Sequence, residues 1–597
     1  MLITISAEHD MQKPRIIYTI AMPDPHSHLF HVTIAVEGIA ADRLDLSLPG
    51  WTPGSYMIRE YARHVQEFAA YSGKQALAWR KTSKDSWQIE SGGADRVLVS
   101  YRVYAFELTV RTSHLDGSHG YFNGAGVFMF VHGGTTEPLG LRIVPAAGWH
   151  ISTGMNPWTE DGPQSFCVAD YDELVDCPVE CGTHRRLHFT VDDIPHEIAI
   201  WGHGNYDEQR LLDDTRRIVE VQRDFFGGLP YRHYTFILHL TDGRGGGLEH
   251  RNSVSNMLDR WTFRPEQRYE RYLALTSHEL FHVWNVKRLR PAPLGPFDYR
   301  RENYTRQLWV AEGITSYYDE LLLVRAGLLS AGRFREKLAG KILTLQGQPG
   351  RRMQSLAQSS FDAWIKFYRP DENSDNSSIS YYLKGSLVAL LLDMHIRRES
   401  GGECSLDDVL RHLYERYPLS GPGIPEDDGI LDALEQVTGL REPFAAFYQQ
   451  YIIGTAELDY AAALACVGVD MEWGYQRGGP GSAPAWLGLT TRSDAGRLLV
   501  AKVNADGPAY AAGVYAGDQL LALDGWRIDA EKLNERLAER APGETLRLAL
   551  FRYDQLIEVP VCLTATPPDQ LTLRLLAEPD AFQQRMYRDW LGQEFKD

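Results

Sequence analysis

The strongest constraint on the fold of this chain is a change of hydrophobic period near residue 205. Up to about residue 195, stretches such as IIYTIAM, LFHVTIAV, RVLVSYRVYAF and RLHFTV alternate apolar and polar residues between Gly, Pro, Asp and Asn turns. Strand side chains point to opposite faces at each step, so residues 1–200 are expected to form an antiparallel β domain. From EQRLLDDTRRIVEVQRDFFGGLP onward the apolar residues recur at helical spacing, with Gly227, Gly228 and Pro230 ending the first helix. A mainly helical domain is expected over 201–473. YRHYTFILHLTDGRGGGLEH interrupts it as a strand, a glycine turn and a short edge segment. The Gly- and Pro-rich GYQRGGPGSAPA (474–485) reads as a linker, and short strands around one helix form a further module over 480–566. In the tail, 567–597, Phe582, Met586, Trp590 and Leu591 recur near helical spacing, so a helix packed on the core is expected. The fold class is therefore multidomain α+β, as 597 residues would require of any chain whose single cores stop growing well below that length.

With 61 Lys and Arg against 79 Asp and Glu, the net charge of −18 argues against nucleic acid or an anionic membrane as the main partner. No run of about 18 apolar residues is present, so no membrane span is expected. Six irregularly spaced cysteines imply no disulfide framework, and Cys177 and Cys181 near His184 do not match a zinc pattern. The start, MLITISAEHDMQKPR, lacks a basic leader and a cleavage site; it reads as unprocessed, which favours the cytoplasm, with the periplasm as the alternative.

RYLALTSHELFHVWNVKRLRP (271–291) carries the chemistry. His278 and His282 are four apart, so on a helix both imidazoles share one face within reach of a single ion. Glu279, one step round, is placed to act on a water as general base. A third ligand is offered by Glu312 in WVAEGITSYYDE, which two antiparallel helices would bring opposite the histidine pair; Asp319 and Glu320, further along, are weaker rivals. The run KRLR (287–290) reads as a solvated helix end. In GGGLEH, Glu249 follows a glycine run at a predicted strand end, where a carboxylate could pair with a free α-ammonium. Backbone exposed at Gly245, Gly246 and Gly247 could pair with an extended peptide.

HELFHVW followed by AEGITSYY resembles the zinc-binding helices of gluzincin aminopeptidases. LPGWTPGSYMIREYARHVQEF (48–68), GGGLEH and the C-terminal module resemble, more narrowly, the glycyl aminopeptidase family over nearly the whole chain. The resemblance implies a thermolysin-like catalytic domain and one zinc ion per chain on His278, His282 and Glu312, with Glu279 as general base and proton shuttle. It also implies Tyr382, before an x-K-G triplet, as the donor to the tetrahedral oxyanion; the adjacent Tyr381 is its rival. Two positions depart from the pattern. Ser316 stands where thermolysin-like relatives place an acid four after the glutamate ligand, and GGLEH replaces G-x-M-E-N.

The segment 486–552 resembles a protease-associated PDZ domain, AGVYAGDQLLALDG being its most telling part, and implies a groove for a peptide strand or a protein C-terminus. The function expected is zinc-dependent removal of N-terminal residues from peptides with a free N-terminus, with Gly or Ala preference implied by the resemblance. A zinc endopeptidase of the same architecture and a non-catalytic peptide-binding protein are the alternatives.

Overall fold

Alternating burial along Ile16–Ala21 and Leu29–Glu37 confirms the period-two reading: one face of each strand is buried and the other partly solvated. The computed structural model describes residues 15–39, 41–476 and 483–596. The chain start and the middle half of the expected 474–485 linker, residues 477–482, therefore lie outside the described residues. The chain divides into two compact units, one of residues 1–304 with 418–423, the other of 305–417 with 424–597.

In the first unit an eight-stranded sheet runs in the order Asn156–Pro157, Ser165–Val168, Leu139–Val144, Ile16–Ala21, Leu29–Glu37, Arg96–Tyr104, Val65–Ser72, Gln75–Ala76. Its pairs are antiparallel except Ile16–Ala21 with Leu139–Val144, which are parallel and so make the sheet mixed. Two four-stranded sheets share its core around Tyr18, Phe30, Tyr101, Phe122 and Phe128.

A separate five-stranded sheet positions the chemistry. Its order is Arg185–Val191, Ile194–Trp201, Tyr234–Thr241, Ser253–Asp259, Gly246–Glu249. The boundary expected at 200/201 falls at the end of Ile194–Trp201, inside this sheet. Alternation identifies a strand but does not say which sheet it joins. The crossover helix Glu208–Phe226 is capped by the Asp207 side chain, which accepts from the Arg210 N–H, and ends at Gly227 with φ of 81°. A left-handed C-terminal residue is where glycine costs least, as the GG pair predicted.

The second unit is helical through residue 465, with Ile314–Arg325, Ala331–Gln346 and Leu383–Glu399 among its longer helices. Its PDZ module has a sheet ordered Leu489–Asp494, Arg497–Val503, Gln519–Leu523, Thr545–Arg552, Gln555–Cys562, with the helix Ala530–Ala538. Leu489–Asp494 pairs only with Arg497–Val503 among the described residues, leaving it an edge strand. The last helix, Ala581–Leu591, buries Met586, Tyr587, Trp590 and Leu591, and the Trp590 indole donates to Tyr317 Oη. Phe582, expected on that face, is only partly buried, and Tyr587 takes its place.

Candidate active site

The helix Glu266–Phe281 buries Tyr269, Tyr272, Leu273, Thr276 and Leu280 along one stripe, and His282 is its C-terminal cap. HELFH therefore occupies the last helical turn. Its two rings still share a face, with the His278 and His282 Nε2 atoms 3.1 Å apart. The His282 Nδ1 lies 2.8 Å from the Asn285 carbonyl oxygen. A carbonyl only accepts, so Nδ1 carries the proton and Nε2 keeps a lone pair turned toward His278. Two imidazole nitrogens converging in this way fit a shared cation. The backbone of Asn285, just past the helix, is thus what orients His282; a carboxylate at position 316 is not needed for that ring.

Gly246–Glu249 is the edge of the five-stranded sheet, antiparallel to Ser253–Asp259, so the glycine run does supply an edge strand. Glu249, Glu279 and His282 are all buried, and donor atoms from the three lie within 4.8 Å of one another. A Cβ added to Gly247 would fall 1.9 Å from Glu279 Oε1, so the strand backbone lies directly against the Glu279 carboxylate. At Gly54, where φ is +85°, a Cβ would fall 2.5 Å from Glu249 Oε1 and 2.7 Å from Leu248 Cδ1. The WTPG segment is thereby a wall packed on Glu249. Trp51 anchors it through an indole N–H to the Asp298 carbonyl at 2.9 Å. No role for WTPG is legible in the sequence alone; a glycine after Pro in a stretch rich in aromatics is the one signal it offers.

Glu249 Oε1 is buried with no hydrogen-bond partner, and Glu249 lines a cavity of about 610 Å³ with Trp51, Tyr56, Arg251, Lys287 and Phe297. A buried carboxylate oxygen left unsatisfied beside open space is set to receive a donor. KRLR is not the solvated helix end that its charge suggests. Lys287 pairs with Asp176 at 2.6 Å with both side chains nearly buried, Arg288 donates to the carbonyls of Val283, Arg251 and Pro230, and Leu289 is buried. The run follows the helix into the protein, where charges are retained because each has a partner. Burial pushes the Asp176 carboxyl upward, but Lys287, His250 and Arg251 outweigh it and hold the group below the usual carboxylate range.

In the second unit Glu312 is buried within a π-helical turn, Trp309–Gly313, that runs directly into Ile314–Arg325. Such turns re-aim side chains and recur at functional sites. A Cβ on Gly313 would fall 2.6 Å from the Gly385 Cα and 2.8 Å from the Tyr381 carbonyl oxygen. Backbone contact between the two glycines brings the turn against the start of Leu383–Glu399. Tyr382 lies close enough to feel Glu312: burial first, then that carboxylate, raise its phenol well above the ordinary value. Tyr381 is fully buried, while Tyr382 is part-exposed. Their rings stack with centroids 4.7 Å apart and planes 30° from parallel, and both residues precede the first helical residue of Leu383–Glu399. Glu320 is taken up by Lys337 and Lys341, at 2.9 and 2.8 Å. Cys177 and Cys181 are buried thiols that belong to no donor group among the described residues.

Paired imidazole nitrogens at a helix end, beside an edge strand that holds one buried carboxylate near another, offer donors of the kind that hold zinc in metallopeptidases. Family models place the chain there: residues 17–183 match the Peptidase M61 N-terminal domain, 271–388 the M61 glycyl aminopeptidase, and 485–563 a PDZ domain. A crystal structure of an aminopeptidase N family protein from Idiomarina loihiensis is 30% identical with a TM-score of 0.89, covering 96% of this chain and 100% of that one. The chain belongs to the M61 glycyl aminopeptidase family. A fainter likeness, 14% identity and TM-score 0.44, reaches an M1 zinc metallopeptidase from Deinococcus radiodurans over 72% of this chain and 91% of that one. A probable periplasmic serine endoprotease DegP-like protein of Brucella suis is 37% identical over 87 residues, 14% of this chain and 16% of that protein's length. No helix among the described residues is long and apolar enough to cross a membrane.

Proposed function

We propose that this protein is a zinc aminopeptidase that removes the N-terminal residue from peptides, with Gly or Ala as the favoured first residue. The observation that carries it is the cluster at the strand edge: Glu249, with an unsatisfied buried oxygen, beside Glu279 and His282. His278, His282 and Glu312 would hold one zinc, the first two through the converging Nε2 atoms and the third through a buried carboxylate. Zinc, when bound, supplies Lewis acidity toward the scissile carbonyl and a water. The remaining work falls to side chains and backbone. Glu249 pairs with the α-ammonium, which fixes the register of the peptide. Backbone groups of Gly246 and Gly247 align the peptide as an added strand. Glu279 takes the proton from the attacking water and passes it to the leaving amine. The Tyr382 phenol, held protonated by burial and by Glu312, donates to the developing oxyanion.

Glu249 separates this reading from an endopeptidase of the same architecture. Hydrolysis of Gly- and Ala-anilides is measured against the N-acetylated forms, before and after chelation. Chelator-sensitive cleavage of the free-amine substrates, with blocked ones at least about 100-fold poorer, is expected. Equal cleavage of both would refute the amine clamp. Glu279→Gln should keep its metal and lose about 10²–10⁴ in turnover. We further propose that the free edge of Leu489–Asp494, with the helix Ala530–Ala538, takes a peptide strand or C-terminus, and that the enzyme works in the cytoplasm, the periplasm being the alternative.

A further inference from the structure

The hairpin His114–Leu115 / His119–Phe122 carries a second set of metal-type donors, sharing no residue with HELFH. Its turn is rigid. Asp116 Oδ1 accepts from the Ser118 N–H at 2.7 Å, the Ser118 hydroxyl at 2.6 Å and the His119 N–H at 3.1 Å. That leaves Oδ2 facing the His114 Nε2 at 4.0 Å. Donor atoms of His114, Asp116 and His119 lie within 4.8 Å of one another.

What surrounds them points to a ligand. His119 is fully buried, stacked on Trp201 at 3.9 Å, and gives its Nδ1 to Glu180 Oε1 at 2.9 Å. Glu180 takes a second hydrogen bond, from His239 Nε2 at 2.9 Å. With Nδ1 committed to a carboxylate, His119 is left an Nε2 lone pair, and that atom is buried with no partner. His114 Nδ1 is likewise buried without one. A carboxylate behind a histidine, fixing its tautomer, is the arrangement that supports metal-ligating imidazoles. Nitrogen, nitrogen and carboxylate oxygen form a set suited to zinc and neighbouring divalent metals.

We propose that His114, Asp116 and His119 bind a second divalent transition-metal ion, with Glu180 orienting His119. Through Glu180 the ion ties the hairpin to the strand Val179–Gly182 and, by His239, to Tyr234–Thr241 of the sheet that carries Glu249.

The test is metal stoichiometry of the full chain, stripped with chelator, re-equilibrated with Zn²⁺ and freed of excess ion. Wild type is expected to hold two zinc ions, and His114→Ala and Asp116→Asn one each, with anilide hydrolysis retained. His282→Ala should also hold one. Asp116→Asn changes a part-exposed residue and keeps the Oδ1 acceptor, so it serves if His114→Ala does not fold. A single wild-type ion lost in His282→Ala but kept in Asp116→Asn overturns the proposal, as do two ions surviving in both hairpin variants, or none in wild type. A single ion lost in the hairpin variants and kept in His282→Ala supports it, while refuting zinc at HELFH instead.

Discussion

Replacing Gly247 by Ala tests whether the edge strand sets the position of Glu279, the proposed base. The Cβ would sit 1.9 Å from Glu279 Oε1, 2.2 Å from Cδ and 2.6 Å from Cγ, where ordinary contact begins at 3.4 Å. The carboxylate must move by about 1.5 Å to relieve this. Gly247 is not in the left-handed region, so the alanine brings no backbone strain of its own. A displacement above 1 Å in a catalytic group costs about 10²-fold, or about 2.7 kcal/mol of transition-state stabilisation. The expected result is a kcat on Ala-anilide about 100-fold down, with zinc content and thermal midpoint close to wild type. Gly245→Ala is the control: its Cβ would meet only the Met257 carbonyl oxygen, at 3.7 Å, and activity should stay within a few-fold. Wild-type kcat in Gly247→Ala would refute the proposed role of Glu279 in this position. Loss of zinc without a kcat effect per bound ion would show that the strand supports the metal instead.

Tyr382→Phe should lower kcat about 10²–10³-fold with metal content unchanged, whereas Tyr381→Phe, whose hydroxyl donates to Tyr368 at 3.3 Å, should cost under about 10-fold; the reverse order would assign the donor to Tyr381. Because the Tyr382 phenol is raised above its ordinary value, the rate should show no alkaline loss from its ionisation below about pH 10; a descending limb removed by Tyr382→Phe would contradict this. The depressed Asp176 carboxyl contributes stability that is present above about pH 4, its unfolded range, and lost as pH falls through the lower folded value. Lys287→Met removes its closest partner, so acid unfolding should move to higher pH and stability at pH 7 fall by about 3–5 kcal/mol; an unchanged acid midpoint would count against the pair.

The sequence by itself determined the local elements and the chemistry they carry. Period two against 3.6, GG at a helix end and a four-residue histidine spacing are short-range signals, and the alternating strands, the helix Glu208–Phe226 and the shared face of His278 and His282 followed from them. It also marked Glu249 at an edge, because a glycine run after an apolar strand has few other readings. Tertiary structure decided what those residues touch. That Ile194–Trp201 joins the sheet bearing Glu249, that Gly54 and Gly247 press on two carboxylates, and that Lys287 turns inward to Asp176 depend on contacts between distant segments, which no local period encodes. The same holds for Asn285, whose side-chain identity is irrelevant to the carbonyl that orients His282. Hydrophobic pattern fixes which face of an element is buried, but the partner of that face is chosen by packing across the whole chain.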